Sequence, residues 1–373
     1  MDVYERRVSV LREAMATAGL DALVLYNNGS YHFTEMDPIY YLSGFKPLGP
    51  HAVVILPKDD DPCLLFMPVW DQQRASRRSR VQNLRPARDF AREYLQLVTE
   101  MGLRKAKVGL TGMGRQNRAV HGLLSAPFEQ RPLPADSLVE EAAAVKDDLE
   151  LSLVEKATEI AERGYAYLLE TLRPGVCECT LVGEVDAYMR SLGADDNFLL
   201  ISASQHNRAV HAPTDRRLDR GDILLAEISP SFEGQFTQIC RSVVLGRPTE
   251  LMREKYGLLI EAMWAGIRRC RSGETAGAAV SEVDRVVSAA GYGKYTVPPY
   301  MRTRGHGMGL GSVAPGNLTA GSDFVFRKNM LFVFHPNQYI PETGYFLVGE
   351  PIVVGEEGGR PLTGRTAHLD SVE

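Results

Sequence analysis

Two stretches of this sequence place polar side chains inside runs that otherwise read as apolar strands. In GDILLAEISPSFEGQFTQICRSVVLG, residues 221–246, Glu227, Gln238 and Cys240 interrupt aliphatic runs, and SFEG at 231–234 is the natural turn. In VFHPNQYIPETGYFLVGEP, residues 333–351, His335 and Glu350 do the same around PETG at 341–344. Polar groups buried without partners are costly, so such residues should meet one another, a ligand or a metal ion. Symmetric pairing about the first turn puts Glu227 opposite Gln238. Pairing about the second puts His335 opposite Glu350. Directly opposed side chains lie ~5 Å apart and share a face. A bulge in either hairpin would change that register.

Between the hairpins, TRGHGMGLG at 303–311 holds His306 between two glycines, which let backbone come close to a ligand. Upstream, SQHNRAVHAPTDRRLDRGD at 204–222 carries His206, Arg208 and His211. A histidine titrates near neutral pH and suits general acid–base work, so His211 is a candidate to activate water or relay a proton. Cys240 is a nucleophile if a neighbouring imidazole lowers its pKa, and otherwise it fills a strand. Tyr339 and Tyr345 read as walls.

The elements that must carry these residues follow from hydrophobic period and turn signals. The pattern predicts a helix over 3–19 stopped by Gly19, strands at 21–27, 52–57 and 62–68, a helix at 87–102 and a strand at 107–112. Such alternation marks an α/β domain over residues 1–135. A single long helix over 137–172 opens a second domain, 136–373, followed by helices at 181–194, 249–270 and 276–292 and by strands at 197–246 and near the C-terminus. A chain of 373 residues suits two domains. The net charge of −5 gives no electrostatic case for nucleic acid. No apolar run is long enough to span a bilayer, and the charged, amphipathic N-terminus lacks a signal peptide's core. Five scattered cysteines read as reduced thiols, so a cytoplasmic protein is expected.

Taken in order, AVKDDLELSLVEKATEIAERG, LRPGVCECTL, VHAPTDRRLDRGDILLAEIS, GHGMGL and FHPNQYIPETGYFLVGEP resemble the pita-bread hydrolases: creatinase, aminopeptidase P, prolidase and methionine aminopeptidase. YYLSGF at 40–45 resembles their creatinase-type N-terminal domain. The resemblance implies a mixed α/β (α+β) fold, a pita-bread catalytic domain and a homodimer. The peptidases of that family bind two metal ions through Asp, Asp, His, Glu and Glu. Carried over, those positions are Glu227, Gln238, His306, His335 and Glu350. Only His306 and Glu350 keep the family's identity, and two of four negative ligand charges are gone. A neutral amide is a poor bridge between cations. The peptidases also carry a second histidine shortly after the glycine-flanked one, where this chain reads LGSVAPGN.

The resemblance therefore points toward creatinase, the family's metal-free member. His211 falls at its catalytic histidine, Glu350 at one of its glutamates and Cys240 at the other. The expectation is a metal-independent hydrolase, without cofactor, cleaving an amide, amidine or guanidine C–N bond of a small nitrogenous compound. In it His211, Glu350 and Glu227 do the chemistry, while His306, His335, Gln238 and Cys240 line the substrate. An alternative holds one divalent transition metal on His306, His335 and Glu350 in an Xaa-Pro peptidase-like enzyme. Another is a catalytically inactive ligand-binding protein.

Overall fold

The computed structural model describes residues 2–31, 33–114, 116–311 and 314–373. The chain divides into two compact units, Met1–Ala143 and Ala144–Glu373. No described helix is long and apolar enough to cross a membrane.

The first unit opens with a helix over Val3–Ala18 that stops where Gly19 takes the left-handed conformation, φ 63°. A six-stranded sheet follows: β1 (Ala22–Asn27), β2 (Ala52–Pro57), β3 (Cys63–Phe66), β4 (Asn83–Pro86), β5 (Val108–Leu110) and β6 (Leu133–Pro134), ordered β4-β3-β2-β1-β5-β6. β1, β2 and β3 are fully buried, which explains why their sequences are continuous apolar runs rather than alternating ones. The helix over Phe90–Glu100 covers one face, burying Phe90, Tyr94 and Leu97 against Val24, Ile55 and Leu65.

The expected long helix over 137–172 is in fact two, Asp136–Ala144 and Asp148–Thr171. The break has a local cause. The Asp147 carboxylate accepts from the Glu150 amide at 2.8 Å, and the Glu150 carboxylate accepts from the Asp147 amide at 3.2 Å. This reciprocal capping box starts a new helix.

In the second unit, β7 (Asp196–Ser204), β8 (Ile223–Phe232), β9 (Gln235–Phe236) and β10 (Ile239–Leu245) form an antiparallel sheet; a parallel strand, Asp370–Val372, lies on its β10 edge. β11 (Gly305–Gly307), β12 (Leu331–Phe334) and β15 (Glu350–Val354) belong to a second sheet, while β13 (Gln338–Ile340) and β14 (Gly344–Phe346) make a separate two-stranded ribbon. A bridge between Cys240 and Gly349 ties β10 to the start of β15. Helices Asp148–Thr171 and Glu178–Ser191 bury Leu168, Val185 and Met189 on the first sheet against Ile201, Leu224 and Ile228.

Both hairpin registers differ from the symmetric ones. In the first, Glu233 and Gly234 form a two-residue turn with φ 44° and 79°, and Phe232 pairs with Gln235. Glu227 consequently opposes Cys240, not Gln238. The shift is two residues, so face is preserved and Gln238 stays a diagonal neighbour. In the second, Ile340 pairs with Gly344 across a three-residue turn, and Phe334, not His335, is registered against Glu350. This shift is one residue, so face is not preserved.

Candidate functional site

Glu227 from β8, Gln238 from the link between β9 and β10, His335 and Asn337 from the β12–β13 link, and His306 from β11 converge. The Gln238 amide donates to the Glu227 carboxylate at 3.4 Å, and the Asn337 amide donates to its other oxygen, also at 3.4 Å. Asn337 also donates to His335 Nδ1 at 3.3 Å. The His306 and His335 rings meet edge-on, centroids 5.4 Å apart. Glu227 has no cationic partner among the described residues, and burial pushes its carboxyl up to about 7. His335 is held down at about 3, by burial first and then by His306, so it is neutral at physiological pH. The Gln238 carbonyl oxygen is buried and has no hydrogen-bond partner among the described residues.

Glu350 is not in this cluster. It is fully buried and ion-paired with Arg241 at 3.2 Å, and it accepts from Thr363 and the Ala367 amide, both at 2.6 Å. The residue that faces the cluster from this strand is Gly349. A Cβ there would lie 2.5 Å from His335 Cβ and 3.1 Å from Cys240 Cβ. The one-residue register shift is the cause: the expected carboxylate points elsewhere, and a residue without a side chain takes its place.

His211 is exposed. Its amide donates to Ser202 Oγ at 3.2 Å and its Nδ1 lies 2.8 Å from the Ala212 carbonyl, so it is not drawn to the cluster by any of its hydrogen bonds. Cys240 is wholly buried, and burial followed by the Glu227 charge raises its thiol well above the ordinary value. That is the opposite of an activated nucleophile. The glycines beside His306 serve chain packing instead of ligand approach: a Cβ at Gly305 would strike the Val333 carbonyl, and one at Gly307 the Ala314 carbonyl. Of the stretch lacking the second histidine, Ser312 and Val313 lie outside the described residues.

Two participants were not singled out from sequence. Asn337 is the hub between Glu227 and His335; its position two residues after His335 in a strand-like run was the available signal. Arg241 was visible as a charge in an apolar strand, but its partner lies 109 residues away.

Residues 152–357 match the metallopeptidase family M24, and residues 7–142 match the creatinase/prolidase N-terminal domain. The chain belongs to metallopeptidase family M24. It is 24% identical to an Xaa-Pro dipeptidase of Pyrococcus horikoshii over 97% of this chain and 98% of that one. Its fold superposes on an Xaa-Pro dipeptidase from Bacillus anthracis with a TM-score of 0.86, at 23% identity, over 99% and 100% of the two chains. An X-Pro aminopeptidase from Thermotoga maritima superposes with a TM-score of 0.85, at 21% identity, over the full length of both.

These findings overturn the expectation of a cofactor-free, creatinase-type hydrolase. M24 is a metallopeptidase family, and the relatives named above are Xaa-Pro dipeptidases and an X-Pro aminopeptidase. The donor set of this chain nonetheless does not fit a two-ion centre. The cluster supplies one carboxylate, two imidazoles, two carboxamides and a glycine. Among the described residues no three His, Cys, Asp or Glu side chains converge to hold a metal ion. The mononuclear set His306, His335 and Glu350 fails too, because Glu350 is turned to Arg241.

Proposed function

We propose that this chain is a hydrolase of short Xaa-Pro-type peptides. What supports this is a match to Xaa-Pro dipeptidases along nearly its whole length, combined with a polar cluster where two hairpins and the His306 strand converge. Glu227 and the Gln238 carbonyl are acceptors for N–H groups of a bound peptide. His306 and the neutral His335 are walls that offer ring nitrogens for hydrogen bonding. The expected homodimer rests on the resemblance and the expected cytoplasmic location on the scattered cysteines, and both belong to the same proposal.

The test is proline release from a panel of Xaa-Pro dipeptides, with purified protein as isolated and after incubation with divalent manganese, cobalt or zinc. Release that follows first-order dependence on protein supports the reading. Absence of release under every condition, from protein that still binds the dipeptides, supports a second one.

That second reading is a protein that binds such ligands without turnover. Gly349 is the observation that favours it. The side of the cluster that β15 would furnish has no functional group, and Gln238 contributes no charge.

A further inference from the structure

The CEC triplet at 177–179 takes no part in the cluster. Cys177 caps the helix Glu178–Ser191 in an extended conformation, φ −82° and ψ 139°, and Cys179 lies in that helix's first turn. Both thiols are free; Cys179 is exposed and Cys177 half-buried. They converge on one carbonyl. The Cys177 thiol donates to the Thr214 oxygen at 3.6 Å, and the Cys179 amide donates to the same oxygen at 3.1 Å. The two sulfurs are close enough to share a hydrogen bond; desolvation first, then Cys177, raises the Cys179 thiol above its ordinary value. The other three cysteines, Cys63, Cys240 and Cys270, are wholly buried, and burial raises the thiol of each. Thiol chemistry needs access and a thiolate, so in the folded chain it is confined to the 177–179 pair.

The residue between the two sulfurs is a clasp. Glu178 is fully buried. One carboxylate oxygen accepts from the Ala203 amide at 2.8 Å, and the other accepts from the Thr214 amide at 2.9 Å and the Thr214 hydroxyl at 2.7 Å. Its own amide donates to the Arg216 carbonyl at 3.0 Å. Bonds to an ionised carboxylate are among the stronger ones. Glu178 thereby fastens the end of β7 and the loop over 205–222, which carries His206, Asn207 and His211, to the start of the helix.

We propose that Cys177 and Cys179 are a thiol–disulfide exchange site, which a low-molecular-weight disulfide such as oxidised glutathione closes to an intramolecular disulfide, and that closure slackens the Glu178 clasp on the 205–222 loop. The exposed Cys179 sulfur, as thiolate, attacks one sulfur of the small disulfide, whose S–S bond breaks and releases one thiolate. The Cys177 thiolate then attacks the Cys179 sulfur and expels the second. The two protons given up by the cysteines end on the two released thiols. The protein pair is oxidised by two electrons and the small disulfide is reduced by the same two. A disulfide holds its Cβ atoms about 3.5–4.5 Å apart with a torsion of about 90°. Reaching that across one intervening residue turns the Glu178 peptide, which the Arg216 and Thr214 carbonyls hold on either side. Closure also removes the hydrogen that Cys177 gives to Thr214. The disulfide and the clasp therefore compete. None of the cluster residues takes part, so the site stands whatever ligand the cluster holds.

Glutathione redox buffers applied to the whole purified chain test it. Wild type, Cys177→Ser, Cys179→Ser and the double variant are equilibrated, quenched by acid, alkylated and read by peptide mass spectrometry, with thermal unfolding to show that each variant is folded. The expected result is that oxidised wild type loses two hydrogens, both from the peptide bearing Cys177 and Cys179, and keeps no glutathione. Each single variant keeps one glutathione on its remaining thiol. The rate of closure rises with pH, as a raised thiol requires. Amide hydrogen exchange over 205–222 should be about tenfold faster in oxidised than in reduced wild type, the loss of roughly one hydrogen bond to a charged group, and unchanged in the double variant taken through the same buffers. Wild type that keeps two glutathiones, fails to react, or links one chain to another overturns the exchange site. A closed pair with unchanged exchange over 205–222 overturns the coupling to Glu178.

Discussion

Glu350 is registered against Phe334, one residue short of His335, and that single step sends the two side chains to separate sets of partners. His335 joins Asn337 and His306. Glu350 becomes the counter-ion of a buried arginine. A carboxylate inside an apolar strand is a strong signal of a partner, but the partner here is structural.

The first prediction follows from that pairing. Glu350→Gln leaves the Arg241 guanidinium buried without its anion, which costs about 3–5 kcal/mol when one member of a buried pair is removed. Chemical denaturation should show a large fall in midpoint, while ligand affinity of the folded fraction is unchanged. A variant of normal stability that no longer binds ligand would return Glu350 to the site.

Gly349 gives a second. Alanine there brings a methyl group to 2.5 Å from His335 Cβ and 3.0 Å from its Cα. The neighbouring Cys240 backbone is held by two hydrogen bonds with Gly349, at 3.1 and 3.2 Å, so the strands cannot separate freely. Gly349→Ala should therefore lose about 1–3 kcal/mol and perturb the His335 ring. The checks are the unfolding midpoint and the His335 imidazole resonances; an unshifted spectrum would mean that the contact relaxes without cost.

A third concerns metal stoichiometry. With one carboxylate and two imidazoles available, two divalent ions per chain cannot be charge-compensated as in a carboxylate-rich centre. Elemental analysis of loaded and desalted protein, at known protomer concentration, should find fewer than two ions per chain. Two ions at full occupancy would show that the cluster rearranges around them.

Much of this was legible in the sequence. Strand and helix positions followed from hydrophobic period, and the pita-bread resemblance followed from the order of its motifs. Glu227, Gln238 and His335 were marked by type, because polar side chains interrupting apolar runs are few, and His306 by the glycines that flank it. What failed was register. Turn length decides it, and PETG and SFEG do not by themselves reveal whether two or three residues make the turn. The two-residue shift at Glu227 was harmless and the one-residue shift at Glu350 was not, since side chains alternate between faces. His211 sits in a loop tied to Ser202 and Ala212, contacts that no spacing rule anticipates.

The pH dependence of stability tests the isolation of Glu227. Its folded carboxyl titrates at about 7, against 4.5 without the fold, and burial is the cause. A raised carboxyl favours the folded state only while protonated in it. Below pH 4.5 both states are protonated and the residue costs nothing. As pH rises from 4.5 through 7 the unfolded chain ionises first, so stability falls, and above 7 the loss levels off. The gap corresponds to about 3 kcal/mol at most, and the partial exposure of the side chain brings it to about 1–3 kcal/mol. Glu227→Gln has no such slope. Urea denaturation in the presence of chelator should find wild type and variant separated least near pH 4.5, with the variant gaining on wild type toward pH 8. Curves that run parallel from pH 4.5 to 8 would mean that Glu227 already has a compensating partner.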